Sequence, residues 1–399
     1  MKNILFIYDK FNTGGIETLI LRMSEWLIKN NFNVTIIMKR GGEITKQLNK
    51  NIKMIELNKS YSYLYFPLLP QIILSKYHLN KIDYIMSFHP KSNWIASNII
   101  KSLNLKCKYI SGIYHPKAYY SDGMHLSEKI VFKLLLKKND THSLLFMNED
   151  SKKLHEKNLQ ISFKESSIWP LPVSKKMFQN IQKNTKKYLI VSIGRLAPFK
   201  TYNLYMIDIV KRLIDEGYDV TYEIYGTGIL HNEIIKKINK HNLKKRIKLK
   251  GLLKYSKFKM ALQDAYLFVG MGTSAIEASF CKVPTIVSIE SNTQAKTYGY
   301  IHELPYYNVG EENDELKEKD IFALIKATLD LSEDEYIKLC DSGFNYVQKY
   351  SIEFLMPKWI HNIKNINSCN IKIPIYLKLI YFILEIINPI LKLFKRKKQ

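Results

Sequence analysis

Three glycine-containing turns, each set between a strand-like apolar run and a helical pattern, carry the residues best suited to chemistry. The most informative is Gly194-Arg195-Leu196-Ala197-Pro198-Phe199-Lys200, which follows the apolar run from Tyr188 and precedes a helical pattern over Tyr202 to Leu213. Two cations flank a loop at the carboxyl end of a parallel strand, the place where open αβ sheets bind ligands. Arg195 and Lys200 can clamp a diphosphate there and neutralise the charge that builds on a leaving nucleoside diphosphate. Either one alone reads as a surface charge; the pair in this place favours the clamp. The second turn lies in Phe268-Val-Gly-Met-Gly-Thr-Ser-Ala-Ile-Glu-Ala278. Gly270 and Gly272 expose backbone amides, Thr273 or Ser274 caps the helix that follows, and the whole forms an anion cradle of phosphate size. Glu277, one turn into that helix, can accept hydrogen bonds from both hydroxyls of a ribose. Ser274 followed three residues later by Glu277 also matches a capping box, so both roles stay open. The third turn, Phe11-Asn-Thr-Gly14-Gly15-Ile-Glu17, offers backbone amides to an anion or a polar oxygen. It is not GxGxxG, so no nicotinamide cofactor is read from it, and a structural tight turn explains it equally well.

The elements around these turns alternate. Ile4 to Tyr8, Val34 to Met38, Tyr84 to Phe88 and Tyr109 to Ile113 read as strands, and Ile16, Leu19, Ile20, Met23, Trp26 and Leu27 recur at helical spacing between the first two. This is the pattern of parallel βα units. The expected organisation is an N-terminal Rossmann-like domain over 1–173, a polar lysine-rich linker over 174–187, and a second αβ domain of the same type over 188–350. Strands are expected there at 188–194, Val220 to Tyr225 and Ile247 to Lys250. Helices over Ser332 to Lys349 and Ile352 to Ile366 follow, the second of them placed to cross back to the first domain.

These features together resemble the retaining glycosyltransferases of family 4, which have the glycosyltransferase B fold. The resemblance is carried by Gly194-Arg195-Leu196 with Lys200, Tyr225-Gly226-Thr227-Gly228 after the next strand, Gly251, and Gly270-x-Gly272 with Glu277-Ala278 ahead of Pro284. It extends to Gly14-Gly15, Asn148-Glu149-Asp150-Ser151 and Pro172-Val173, and so covers nearly the whole chain. It implies an α/β protein with two Rossmann-like domains facing a cleft. The second domain holds most of a nucleotide-diphosphate sugar, with Arg195 and Lys200 on the diphosphate and Glu277 on the ribose. Gly14, Gly15, Gly194, Gly226, Gly270, Gly272, Thr273 and Ser274 complete the donor site. No cofactor and no metal are implied, because the two cations and the helix amides do the electrostatic work that magnesium does elsewhere. His115, in Ile113-Tyr-His-Pro-Lys117, lies after a strand where the family often has an active-site histidine; His89, in Ser87-Phe-His-Pro-Lys91, is the second choice. One departure stands out. The family has a second glutamate eight positions before Glu277, close to the transferred sugar, and here that position is Val269. Tyr298 to Gly310 also resembles a stretch found in some polysaccharide-assembly members.

The bulk composition narrows the partners. The net charge of +25 favours anionic partners, although much of the lysine simply solvates helix faces. The basic residues are spread along the chain without an RRM, KH or zinc motif, so no nucleic acid is expected. Cys107, Cys281, Cys340 and Cys369 are far apart and form no CxxC pair, which argues against a zinc site or a disulfide framework. The amino terminus runs straight into a strand, without the pattern of a signal peptide. The tail, 369–399, is apolar, aromatic and basic; Lys378, Glu385 and Lys392 interrupt its hydrophobic run, and Pro374 and Pro389 bound it. It reads as an amphipathic helix lying on an anionic membrane, with Lys395, Arg396, Lys397 and Lys398 at the headgroups; packing on the protein itself is the alternative. The expected function is metal-independent transfer of a sugar to a membrane-linked glycan precursor such as a capsule or O-antigen unit, at the inner face of the cytoplasmic membrane. A nucleotide-sugar epimerase of the same fold and a non-catalytic basic binding protein are the competing readings.

Overall fold

The computed structural model describes residues 1–11, 14–65, 69–79, 81–120, 124, 126–138, 141–178, 183–366, 376, 380 and 383. The chain divides into two compact units, Met1–Pro172 with the segment from Met356 onward, and Val173–Leu355.

The first unit runs β1 (Lys2–Ile7), α1 (Gly15–Lys29), β2 (Phe32–Met38), β3 (Lys53–Glu56), α2 (Leu69–Leu74), β4 (Tyr84–Ser87), α3 (Pro90–Ser102), β5 (Lys108–Ile113), α4 (Leu126–Lys138), β6 (Leu144–Phe146), α5 (Glu149–Leu159) and β7 (Ser167–Ile168). Its sheet has the order β3-β2-β1-β4-β5-β6-β7, and every pair is parallel. Ile4 to Ile7 is an unbroken apolar run because a parallel strand in such a sheet is covered on both faces, and all four residues are buried. Leu5, Ile7, Ile37 and Ile85 pack with Ile95 and Ile99 of α3. Ile113, Leu144 and Phe146 pack with Val131 and Leu135 of α4. The apolar stripe of α1 buries Leu19, Ile20, Met23 and Leu27 as its spacing requires. On the same helix Arg22 is buried and donates from Nη1 to the Pro172 carbonyl at 3.0 Å, a hydrogen bond that offsets part of the cost of burying its charge.

The second unit runs β8 (Leu189–Ile193), α6 (Tyr202–Asp215), β9 (Thr221–Tyr225), α7 (His231–Lys240), β10 (Ile247–Gly251), α8 (Phe258–Ala261), β11 (Leu267–Gly270), α9 (Thr273–Phe280), β12 (Thr285–Ser288), β13 (Lys296–Tyr300), β14 (Lys319–Asp320), α10 (Ile321–Leu329) and α11 (Glu333–Val347). The sheet order is β10-β9-β8-β11-β12-β13-β14. The first five strands are parallel, whereas β13 and β14 are antiparallel additions. The second sheet is therefore not a repeat of the first. Its antiparallel edge brings the aromatic stretch from Tyr298 onward back toward the ends of β11 and β12. At the opposite edge, β10 exposes Lys248 and Lys250, charges that discourage pairing with another chain.

Several stretches differ from the sequence reading. The linker region belongs to the second unit by its contacts: Phe178 is buried and stacks on Phe280 at 6.3 Å, Lys183 donates to the Leu262 carbonyl at 3.1 Å, and Lys186 pairs with Asp264 at 2.6 Å. Backbone hydrogen bonds from Asn184 N to Gln263 O at 3.3 Å and from Lys186 N to Asp264 O at 2.9 Å hold it as well, and contacts of this kind leave no apolar periodicity. Val173 and the residues around Ser351 pair as an isolated bridge, with Val173 N to Tyr350 O at 2.8 Å and Ile352 N to Val173 O at 2.9 Å. α12 (Ile352–Asn365) begins there and continues into the first unit, where Trp359 packs on Trp169. The amphipathic tail read over 369–399 lies outside the described residues, apart from isolated positions. Among the described residues no helix is long and apolar enough to cross a membrane.

Candidate functional site

The loop after β8 is held by the loop after β9. Gly194 N donates to Tyr225 O at 2.9 Å and Leu196 N to Thr227 O at 3.0 Å. Gly226 presses so closely on this loop that a Cβ there would stand 1.8 Å from the Gly194 carbonyl oxygen, and at Gly228 one would stand 2.3 Å from that of Leu196. The Tyr225-Gly-Thr-Gly228 motif is thus the clamp that shapes the Arg195 loop. Lys200 folds back over Gly194, where its Nζ would lie 2.7 Å from an added Cβ. Burial, and then the positive charge of Arg195, push the Lys200 amine down to about 8, while Glu290 acts in the opposite sense. Arg195 is exposed beside it. The sheet is tied beneath this loop by Tyr222, whose hydroxyl donates to Ser192 Oγ at 2.7 Å, and by Ser192, which donates to the Val269 carbonyl at 2.5 Å.

On the neighbouring strand, β11 ends at Gly270 and α9 starts at Thr273, so only Met271 and Gly272 make the turn. Gly272 is the capping residue, with φ +71° and no side-chain cap. The expected cap by Thr273 or Ser274 is not formed, and neither is the capping box. Both residues already lie within the helix; Ser274 Oγ donates to the Met271 carbonyl at 3.1 Å, and Glu277 sits too far along the helix to reach back. Glu277 is instead 3% exposed and accepts a hydrogen bond from the Tyr255 hydroxyl at 3.0 Å on Oε1. Tyr255 comes from the connection after β10, a residue that no sequence signal marked. The first turn of α9 directs backbone N–H groups that lack intrahelical acceptors, together with the positive end of the helix dipole, toward the loops at this edge of the sheet.

Val269 is 0% exposed, inside β11 and part of the core of the second unit. The position eight before Glu277 is thus beneath the turn, in the sheet. A carboxylate there would be buried in hydrocarbon rather than presented to a ligand.

The stretch from Tyr298 onward also reaches this site. Gly272 N donates to Val309 O at 2.7 Å and Glu290 N donates to Gly310 O at 2.7 Å. The turn is made rigid by Gly310 N on Asn308 Oδ1 and by Val309 N on Glu311 Oε2, both at 2.8 Å. Tyr306 and Tyr307, just before it, both have positive φ. The structure therefore assembles Gly194, Arg195, Lys200, Gly226, Gly270, Gly272, Thr273, Ser274 and Glu277 within the second unit and adds Tyr255, Glu290 and Val309–Gly310.

Gly14, Gly15, His89 and His115 stand on the first unit. Gly14 caps α1, but Glu17 folds back toward it, and a Cβ on Gly14 would meet Glu17 Oε2 at 2.5 Å. This helix end already carries a carboxylate, which opposes a second anion. His115 is exposed after β5 and accepts from Lys117 N at 3.0 Å on Nδ1, which leaves Nε2 as the protonated nitrogen of the neutral ring. His89 is the capping residue of α3: its Nδ1 accepts from Ser92 N at 3.1 Å. Burial, with Lys91 adding to it, pushes its ring down to about 4. His155 on α5 was not singled out in the sequence. It is buried against Tyr120 and Phe146, donates from Nδ1 to the Ser151 carbonyl at 2.7 Å, and is likewise pushed down to about 4 by burial.

Two histidines that resist protonation in the folded chain give a pH dependence. Their folded values lie below the ordinary 6.5, so their contribution is complete above about pH 6.5. It falls as acid protonates the unfolded chain between pH 6.5 and 4, and is flat below that. A loss of about 3 kcal/mol per histidine is expected across this window. Urea unfolding at pH 7 and pH 4.5 checks it, with His155→Phe and His89→Ser each flattening the slope.

Two nucleotide-scale glycine turns with paired cations, at the carboxyl edge of one of two Rossmann-like sheets, define a class. Residues 173–297 match the family model of the group 1 glycosyl transferases, and the chain has the two Rossmann-like domains of the glycosyltransferase B fold. Among its relatives, the UDP-Gal:alpha-D-GlcNAc-diphosphoundecaprenol alpha-1,3-galactosyltransferase of Escherichia coli is 24% identical over 382 residues, 84% of this chain and 91% of that one. The poly(ribitol-phosphate) alpha-N-acetylglucosaminyltransferase of Staphylococcus aureus is 25% identical over 187 residues, 43% of this chain; the match spans 34% of that enzyme's length. Among solved structures, HepE of Anabaena in complex with UDP and glucose superposes with a TM-score of 0.69 at 12% identity, covering 91% of this chain and 100% of that one.

Proposed function

We propose that the chain transfers a hexose-type sugar, with retention of anomeric configuration, from a nucleotide-diphosphate sugar to a membrane-linked glycan precursor. The observation that carries this reading is the convergence of Arg195, Lys200, the start of α9 and the Tyr255–Glu277 pair at the carboxyl edge of one sheet. Glu277 takes the ribose, the two cations and the α9 amides take the diphosphate, and the negative charge of the departing nucleoside diphosphate is stabilised there without a metal ion. UDP is the favoured nucleotide, since HepE binds it. His115, with Nε2–H as a donor, and the Gly14-Gly15 turn serve the acceptor and the reacting sugar from the first unit. A lipid diphosphate acceptor follows from the name of the Escherichia coli relative. The apolar and basic composition of 369–399 suits the same anionic membrane, where such an acceptor is held at the cytoplasmic face.

The test is calorimetric titration of the full chain with ADP, GDP, UDP and their sugars, with and without magnesium. One nucleotide family is expected to bind equally well in both conditions, and Glu277→Ala should weaken it about tenfold or more, the value of charge-assisted bonds to a ribose. Binding that appears only with magnesium would overturn the metal-independent reading. No binding by any nucleotide would overturn the donor site.

A further inference from the structure

The spread of basic residues along the chain has one exception. Eleven of the 24 residues from Lys236 to Lys259 are Lys or Arg and none is Asp or Glu, against 61 and 36 in the 399 of the whole chain. This stretch forms one border of the second unit: most of α7, a turn, the edge strand β10 and the connection after it. The border is firmly held. Ile234, Ile238, Leu243 and Ile247 are buried in the core of the unit. α7 ends where Asn242 takes a φ of +57° and Leu243 N donates to Ile238 O at 3.0 Å. Arg246 N and Ile247 N then both donate to Leu243 O, at 2.9 and 2.8 Å, and lead straight into β10.

Acidic residues of neighbouring elements engage only part of this charge. Asp208 of α6 pairs with Lys237 and with His241, Asp219 with Arg246, and Glu223 of β9 with Lys250. Lys236, Lys240, Lys244, Lys245 and Lys248 are exposed and have no acidic partner among the described residues. The same holds for Lys254 and Lys257, beyond the far end of β10. Lys236 and Lys240 stand one turn apart on the helix face opposite Ile234 and Ile238, a like-charge spacing that weakens a helix in isolation. Guarding an edge strand against pairing accounts for Lys248. It does not account for four lysines on the helix and the turn, which repel one another unless a negative surface lies opposite. Two large apolar side chains accompany the lysines: Leu252 is 63% exposed and Met260 66%.

We propose that this border of the second unit, from α7 to Met260, is a docking surface for the anionic headgroups of a lipid bilayer. Unpaired lysines meet lipid phosphates, and Leu252 and Met260 enter the boundary of the acyl chains, a use that a nucleic-acid backbone does not offer them. The surface is separate from the tail over 369–399, and its charge does not depend on the donor-site reading.

The experiment measures sedimentation of the full-length chain with vesicles of phosphatidylcholine, alone or mixed with phosphatidylglycerol. The wild type should bind the mixed vesicles, bind the neutral ones far less, and be released as KCl rises from about 0.1 to 0.5 M. One variant combines Lys240→Gln, Lys244→Gln, Lys245→Gln and Lys248→Gln. It should bind the mixed vesicles about tenfold or more weaker, with an unchanged unfolding midpoint, and Lys→Arg at the same four positions should restore binding. A second variant removes the same net charge elsewhere, through Lys50→Gln, Lys59→Gln, Lys164→Gln and Lys338→Gln, and should stay within about threefold of wild type. Unchanged binding by the first variant overturns the proposal, and so does an equal loss in both, which would make net charge the cause. Tighter binding to a short single-stranded RNA than to the mixed vesicles, lost in the first variant, would overturn the lipid assignment in favour of nucleic acid. UDP titrated into the same samples reports on the donor site independently, since none of the substituted lysines belongs to it.

Discussion

Replacing Lys200 with alanine is expected to lower kcat/KM by about 10²–10³-fold, the scale on which one preorganised group opposite developing charge contributes. The structure explains why one lysine carries so much. Its ammonium is folded over Gly194 in a half-buried loop, beside Arg195, where its attraction for the diphosphate of the proposed donor is weakened little by water. The same burial leaves its free amine at about 8. The cation is therefore present below that pH and is lost as pH rises through it, so the wild-type kcat/KM should decline between about pH 8 and 9.5. Lys200→Ala should be slow at every pH and lack this limb. Lys200→Arg should recover part of the rate and stay flat to higher pH, because a guanidinium does not titrate there. Initial rates across pH 6.5–9.5, with the preferred donor held below KM, check all three. A K200A enzyme within about threefold of wild type would remove Lys200 from the diphosphate clamp.

The second large effect is structural. Gly226→Ala places a methyl 1.8 Å from a backbone carbonyl of the Arg195 loop, at a residue whose φ of +151° side chains rarely adopt. Neither strand end can give way, since Gly194 N is bonded to Tyr225 O and Gly226 N to Gly251 O at 2.8 Å. A loss of more than about 3 kcal/mol in urea unfolding is expected, at the upper end for single substitutions. Where the protein still folds, nucleoside diphosphate binding should be weakened because the loop is displaced. Gly15→Ala is the control. It meets nothing within 4 Å and begins α1, where alanine is the better helix former, so it should be neutral or stabilising by up to about 1 kcal/mol. Equal effects at the two positions would show that the clamp between the loops does not shape the site.

These expectations draw unequally on sequence and on structure. Alternating apolar runs and helical spacings determine two parallel αβ sheets, because a covered strand must be continuously apolar and a covering helix must carry one stripe. The glycines at 194, 226, 270 and 272 and the cations at 195 and 200 were legible for a local reason: sharp turns at strand ends need particular residue types, and those types cluster in the chain. Local pattern misled where two residues can pair either within the helix or across the fold. Ser274 and Glu277 have the spacing of a capping box, yet α9 begins at Thr273 and Tyr255, 22 residues earlier, takes Glu277. The family resemblance put a missing carboxylate at position 269, whereas the two-residue turn after β11 leaves that position inside the sheet. Only the tertiary structure brought Glu290 and the Val309–Gly310 turn to the site. The antiparallel β13 and β14 carry the chain back across the carboxyl edge, and contacts made by backbone groups of distant segments leave no periodicity in the sequence. The sequence determined which chemistry the chain can hold, since charge and backbone freedom are properties of residue type. The fold decided which of these residues meet, since proximity is set by the order of strands and the path of the chain between them.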